Sequence, residues 1–205
     1  KFLSILATFA LVGCATQTKE APVVVPPVVT PSTPVVVQPK IPPRIGLALG
    51  GGAARGFAHV GVIQVLEEAG IRPSMVSGTS AGSLVAAIYA SGKTPFQMQD
   101  IALKLQESDI RDLTLNSQGF ILGQKLQNYV NTQVGNKPIE KCPIRFAAVA
   151  TRLDNGRKAE FIKGNAGQAV RASCSIPNVF VPAAIANAKY VDGGLVCPIP
   201  VKTAK

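Results

Sequence analysis

Residues Arg44–Gly70 read RIGLALGGGAARGFAHVGVIQVLEEAG, and this stretch decides the fold class. A short apolar run, Arg44–Leu49, passes through a glycine cluster into a segment whose apolar residues Phe57, Val60, Ile63 and Leu66 recur every three positions. The run is consistent with a buried strand, and the spacing predicts a helix over 55–69 with Gly70 as its C-cap. A strand, a glycine turn and a helix in succession form the repeating unit of a layered α/β domain.

Further along, the alternation continues. Residues 74–77 are strand-like, and SAGSLVAAIYA at 80–90 predicts a helix rich in small residues. Thr94-Pro95 supplies an N-cap and a first-turn proline for a helix to about Gln106, and 123–134 also patterns as a helix. Residues 145–152 and 158–163 flank Asp154-Asn155-Gly156-Arg157, a hairpin turn signal. A helix over 165–173 and a short strand at 189–191 complete the pattern, which has no repeat period.

The sequence before Arg44 differs in kind. KFLSILATFALVGC at Lys1–Cys14 has a basic start and an apolar centre too short for a permanent membrane helix, the layout of a secretory signal. Leu11-Val12-Gly13-Cys14 resembles a bacterial lipobox, which implies acylation of Cys14. Ala15 rather than Asp follows it, which resembles the pattern sent to the outer membrane in Gram-negative bacteria and implies a periplasm-facing anchor there. Residues 15–43 carry 8 of the 16 prolines between valine triplets, so neither a helix nor a central strand is expected. An extended chain at roughly 3 Å per residue would let residues 21–43 reach on the order of 70 Å, as a tether or as a leader without a spacing role.

Residues 44–205 hold 18 of the 19 glycines and are expected to form one domain. The chain carries 21 basic and 11 acidic residues; Lys1, Lys19, Lys40 and Glu20 lie outside this domain, leaving it 18 and 10, net +8. That charge suits an anionic lipid surface, at about 1 kcal/mol per basic residue close to it, or is simply a solvated face. Aromatics are 5% of the chain and Trp is absent, so base stacking and nucleic-acid binding fit poorly. Cys142, Cys174 and Cys197 allow at most one internal disulfide, and with the lone His59 they offer no zinc-ligand spacing.

Three motifs carry chemistry. Gly50-Gly51-Gly52-Ala53-Ala54-Arg55-Gly56 lies between a strand and a helix, where glycines let several backbone N–H groups converge. A dinucleotide fingerprint would need Gly where Arg55 stands, and a Walker loop would need Lys where Phe57 stands. An anion-stabilising loop beside the Arg55 cation remains, as does a purely structural turn. Gly78-Thr79-Ser80-Ala81-Gly82 matches the G-x-S-x-G nucleophile elbow, in which small neighbours leave the serine exposed at a strained turn. His59 precedes Ser80, contrary to the Ser–Asp–His order of an α/β-hydrolase triad. It is read first as a hydrogen-bonded packing residue and second as a base. Val191-Asp192-Gly193-Gly194 then offers a carboxylate at a strand end, or only a turn.

The glycine loop, the serine elbow and the Asp-Gly-Gly run, in that order, resemble the patatin-like phospholipases, and the resemblance covers most of residues 44–201. Arg171-Ala172-Ser173, Ile176-Pro177 and Phe180 are also similar to the segment before the Asp-Gly-Gly run in bacterial members. The resemblance implies a three-layer α/β/α fold and a Ser80–Asp192 dyad that hydrolyses lipid acyl esters without metal or cofactor. It implies an oxyanion hole from the Gly50–Gly52 amides with Arg55 supporting the loop, and motif glycines Gly78, Gly82, Gly193 and Gly194. Phospholipid or lysophospholipid is the implied substrate. A lipid-binding envelope module without catalysis and a small-ester carboxylesterase are the alternatives. Family members continue past this motif, whereas the chain stops eleven residues after Gly194, which reads as a C-terminal truncation.

Overall fold

The computed structural model describes residues 43–205; the expected signal segment, Cys14 and most of the proline-rich linker lie outside the described residues. Eight strands and six α-helices follow in chain order. They are β1 Gly46–Leu49, α1 Ala58–Glu68, β2 Met75–Thr79, α2 Ala81–Ala90, α3 Pro95–Lys104 and α4 Glu107–Ile110, then β3 Leu113–Asn116 and β4 Gly119–Ile121. After these come α5 Gln124–Gln133, β5 Arg145–Arg152, β6 Lys158–Phe161, α6 Ala166–Ser173, β7 Ala183–Ile185 and β8 Ala188–Asp192. The fold is mixed α/β around a sheet with parallel central strands, as expected.

Strand β5 is the hub of that sheet. Ala148 and Val149 pair with β2 in parallel and also with β6, while Ala150 and Thr151 pair with β8 and also with β6. A strand has two edges, so β6 occupies one and β2 and β8 share the other, end to end. Strand β2 finishes with Thr79 opposite Val149, and β8 finishes with Asp192 opposite Ala150. Two strands that arrive from opposite directions therefore stop at consecutive residues of β5.

The two faces of β2 are covered differently. Side chains alternate along a strand, so Val76 and Gly78 face α2, and Val76 joins Val85, Ala86, Phe146 and Ala148 in the main core. Ser77 and Thr79 face the other way, and their hydroxyls donate to the carbonyls of Pro200 (2.9 Å) and Cys197 (2.8 Å). A coil from the C-terminal end of the chain thus covers that face of β2.

Several local expectations needed correction. β1 is an edge strand that pairs only with β2; Gly46 is exposed and only Leu49 is buried. The expected helix over 55–69 begins as a 3-10 turn, Ala53–Phe57, before α1. Tighter winding takes Phe57 off the stripe of Val60 and Ile63, so Phe57 is 44% exposed while Ile63 is 1% exposed. Strand β2 runs two residues beyond the expected Ser77, directly into Ser80. The hairpin of β3 and β4 was not expected, because each strand is too short to show alternation. Helix α5 is capped from a distance: the Asp112 carboxylate accepts the N–H groups of Gly123, Gln124 and Lys125 at 2.7, 2.8 and 3.0 Å.

Other expectations match. Thr94 and Gln97 form a capping box on α3 with Pro95 in its first turn, and β5 and β6 form the predicted antiparallel hairpin. The sequence left the pairing of Cys142, Cys174 and Cys197 open, and all three are free thiols.

Candidate active site

Ser80 stands between β2 and α2 with φ 52° and ψ −129°, a backbone conformation that L residues avoid. Such a conformation costs on the order of 1–3 kcal/mol and persists only when its surroundings enforce it. Here they do. The Ser80 N–H donates to the Ser173 hydroxyl oxygen at 2.8 Å, and that hydroxyl, fully buried on α6, donates to the Val149 carbonyl at 2.5 Å. The turn also requires its glycines: a Cβ on Gly78 would lie 2.3 Å from the Gly82 carbonyl oxygen, and one on Gly82 would lie 2.3 Å from that of Leu49.

Asp192 arrives at the same place from β8 and is 7% exposed. Its N–H donates to the Ser175 carbonyl (2.8 Å), its carbonyl accepts the Thr151 hydroxyl (2.8 Å), and its Oδ1 accepts the Gly194 N–H (2.6 Å). Gly193 lets the strand end pass close to β5, since a Cβ there would lie 2.1 Å from the Val149 carbonyl oxygen. The second oxygen, Oδ2, is buried without a hydrogen-bond partner. Burial pushes the carboxyl above the usual carboxylate range, opposed by the neighbouring Ser80 hydroxyl and the Gly194 N–H. The Ser80 hydroxyl influences Asp192, yet no bond between the two meets normal hydrogen-bond geometry. The arrangement is an unoccupied acceptor beside a hydroxyl.

The glycine loop lies against this pair. A Cβ on Gly51 would be 3.2 Å from the Ser80 Cβ and 4.0 Å from its Oγ. Not all of its amides are available: the Gly51 N–H donates to the Pro198 carbonyl at 3.1 Å. Among the described residues the N–H groups of Gly52 and Ala81 have no acceptor, and Ala81 opens the ten-residue helix α2, whose N-terminus favours negative charge. His59 donates from Nε2 to the Gly50 carbonyl at 2.8 Å, so it anchors the loop, consistent with the packing reading. Arg55 is exposed, and its guanidinium makes no hydrogen bond or ion pair among the described residues; its alkyl base sits above Gly52.

An apolar cavity of about 270 Å³ opens beside Ser80, between Phe57, Leu84, Leu105, Ile176 and Phe180. Cys174 borders it as well, its thiol pushed up to about 12 by burial first and by the Asp192 charge second. That thiol is protonated at neutral pH, which leaves Ser80 as the nucleophile candidate at this cavity. The sequence motifs singled out Ser80, Asp192 and the glycines, but not the positions of Ser173, Thr151 or the cavity wall. Ser173 lay in a quoted motif without a role; its partner Ser80 is 93 residues away, so no local signal could have assigned one.

Comparison with known proteins gives the family. An uncharacterized NTE family protein of Mycobacterium bovis is 36% identical over 161 residues, which are 78% of this chain and 45% of that protein. Lysophospholipase NTE1 of Coccidioides immitis is 34% identical over 167 residues, 78% of this chain and 11% of that protein. The chain thus spans less than half the length of these curated relatives. The crystal structure of VipD from Legionella pneumophila superposes with a TM-score of 0.61 at 16% identity, over 72% of this chain and 45% of that one, a likeness of fold. The family profile described as patatin-like phospholipase matches residues 47–205, and the chain belongs to the patatin-like phospholipase family.

Proposed function

We propose that this protein is a serine acyl hydrolase that cleaves acyl esters of phospholipids or lysophospholipids through a Ser80–Asp192 dyad. One observation carries the reading: β2 and β8 end at adjacent residues of β5, which sets the strained Ser80, just past the end of β2 and beside an apolar cavity, next to Asp192 with its unpartnered Oδ2. Ser80 Oγ attacks the ester carbonyl carbon while its proton passes to Oδ2 of Asp192. The oxyanion is held by the free N–H groups of Gly52 and Ala81 and by the α2 N-terminus, with Arg55 supporting the loop. Asp192 returns the proton to the leaving alkoxide, then takes a proton from a water that attacks the acyl-serine carbonyl, and passes it to Ser80 Oγ as the ester bond breaks and the fatty acid leaves. A carboxyl raised by burial is a stronger base than an exposed one, which suits Asp192 to this task.

The lysophospholipase name of a relative supports lipid esters as substrate, as does the apolar wall of the cavity. A lipid on Cys14 would hold the protein at the outer membrane facing the periplasm, with residues 15–43 as spacer. Fluorophosphonate labelling of the full-length protein tests the chemistry: wild type labels, and Ser80→Ala does not. Labelling that persists in Ser80→Ala moves the nucleophile elsewhere, and an unlabelled wild type supports the binding-module alternative. Palmitate incorporation that disappears in Cys14→Ser tests the anchor separately.

A further inference from the structure

The cavity beside Ser80 has a neighbour. A second hollow of about 20 Å³, room for one water-sized group, lies between α1, α2 and α3. Phe57, Leu84, Val85 and Leu105 border both spaces, so these side chains form a partition with Ser80 on one side and Met98 and Tyr129 on the other. Apart from the Tyr129 hydroxyl, the residues around the second hollow are apolar. Such a space gives an incoming polar group little to bond to, whereas an alkyl tail gains by leaving water.

The parts of the partition differ in how firmly they are held. Leu84 and Val85 belong to α2, and Val85 is 6% exposed within the main core. Leu105 is only partly buried and is the C-cap of α3, with extended backbone at φ −61° and ψ 119°, where the helix has already ended. Met98, 2% exposed, closes the far side with an unbranched thioether that can change shape to fit a neighbour. The partition is therefore held least firmly outside α2, at Leu105 and at Phe57, which is 44% exposed on its 3-10 turn. Of the two, Leu105 ends the helix that carries the adaptable Met98, and what lies behind it can yield.

We propose that the two spaces are one interrupted acyl-chain site, with Leu105 as the stop that sets how long an acyl tail fits. The inference rests on the acyl-hydrolase reading for the identity of the ligand. Leu→Ala at 105 removes three carbons from the partition, so a tail reaches about three carbons deeper. Leu105→Phe fills the passage and shortens the accepted tail.

Binding is measured without turnover, in full-length protein carrying Ser80→Ala, against saturated fatty acids from eight to eighteen carbons. Adding Leu105→Ala moves the tightest-binding length up by about two to four carbons, adding Leu105→Phe moves it down, and Leu103→Ala, on the same helix but exposed, moves nothing. An unmoved optimum in both Leu105 variants overturns the inference, as does an equal move in Leu103→Ala or no fatty-acid binding at all. Ester hydrolysis by the parent protein is scored in parallel. Hydrolysis with an unmoved optimum defeats the length stop alone, and a moved optimum without hydrolysis defeats the hydrolase reading alone.

Discussion

Ser173 accepts the backbone N–H of Ser80 while its own hydroxyl proton goes to the carbonyl of Val149, so one buried side chain ties the elbow to strand β5. Truncation to Ala leaves a buried donor and a buried acceptor without partners, about 1–3 kcal/mol of destabilisation. The strained Ser80 conformation also loses an enforcing contact. Urea unfolding of Ser173→Ala is expected to show that loss, and its fluorophosphonate labelling rate is expected to fall about tenfold or more. An unchanged labelling rate in the folded variant means the elbow is held by its glycines alone.

Asp192 gives a pH prediction of definite sign. Burial raises its carboxyl in the folded protein, so the native state holds a proton more tightly than the unfolded chain does. The contribution of Asp192 to stability is therefore greatest below the unfolded carboxylate pKa, about 3.9, and is lost as pH rises from there through the folded value. Asp192→Asn retains an acceptor for the Gly194 N–H without a buried charge, and is expected to melt at a higher temperature than wild type at neutral pH. The same variant is expected to lose at least about a thousandfold in turnover, because Asn cannot accept the serine proton. The acid limb of the wild-type pH–rate profile should lie above the ordinary carboxylate range. Thermal melts and rate profiles of the two proteins check all three.

Two glycine-to-alanine changes should have opposite effects. At Gly78 the new methyl would lie 2.3–2.5 Å from the backbone of Gly82 and Ser83, so β2 and α2 must separate. Gly78→Ala is expected to destabilise by more than about 3 kcal/mol or to prevent folding. Gly61, inside α1, has open space around its Cβ position, and Gly61→Ala should stabilise by about 0.5–1 kcal/mol through helix propensity. Denaturant midpoints of the two variants test the pair.

Asp112 caps α5 with one carboxylate and three N–H groups. Asp112→Ala should cost about 1–2 kcal/mol, and Asp112→Asn less, since a neutral amide oxygen still accepts but no longer opposes the helix dipole. Melting temperatures in the order wild type, Asn, Ala are expected; equal values would show that solvent replaces the cap.

Much of the site was legible because its signals are local. The runs around Gly50, Ser80 and Asp192 each combine a short apolar segment with small residues that only a sharp turn requires, and all three are found at strand ends. The α3 capping box and the β5–β6 hairpin are likewise written in neighbouring residues. Phe57 was misplaced because three-residue spacing does not distinguish a 3-10 turn from the first turn of an α-helix. The β3–β4 hairpin was missed because a four-residue and a three-residue strand hold too little alternation to recognise.

The sequence by itself determined the α/β alternation and the chemical identities at the strand ends, since hydrophobic period and glycine placement act over a few residues. Only the tertiary structure decided that β2 and β8 meet end to end on β5, where Thr79 and Asp192 pair with consecutive residues, so that Ser80, one residue past the end of β2, comes beside Asp192 across 112 residues of chain. It also decided that the Gly51 amide is committed to Pro198, that Ser173 fastens the elbow, and that Leu105 stands between two cavities. Strand pairing, buried hydrogen bonds and packing voids depend on which distant segments come together, and no short-range pattern encodes that choice.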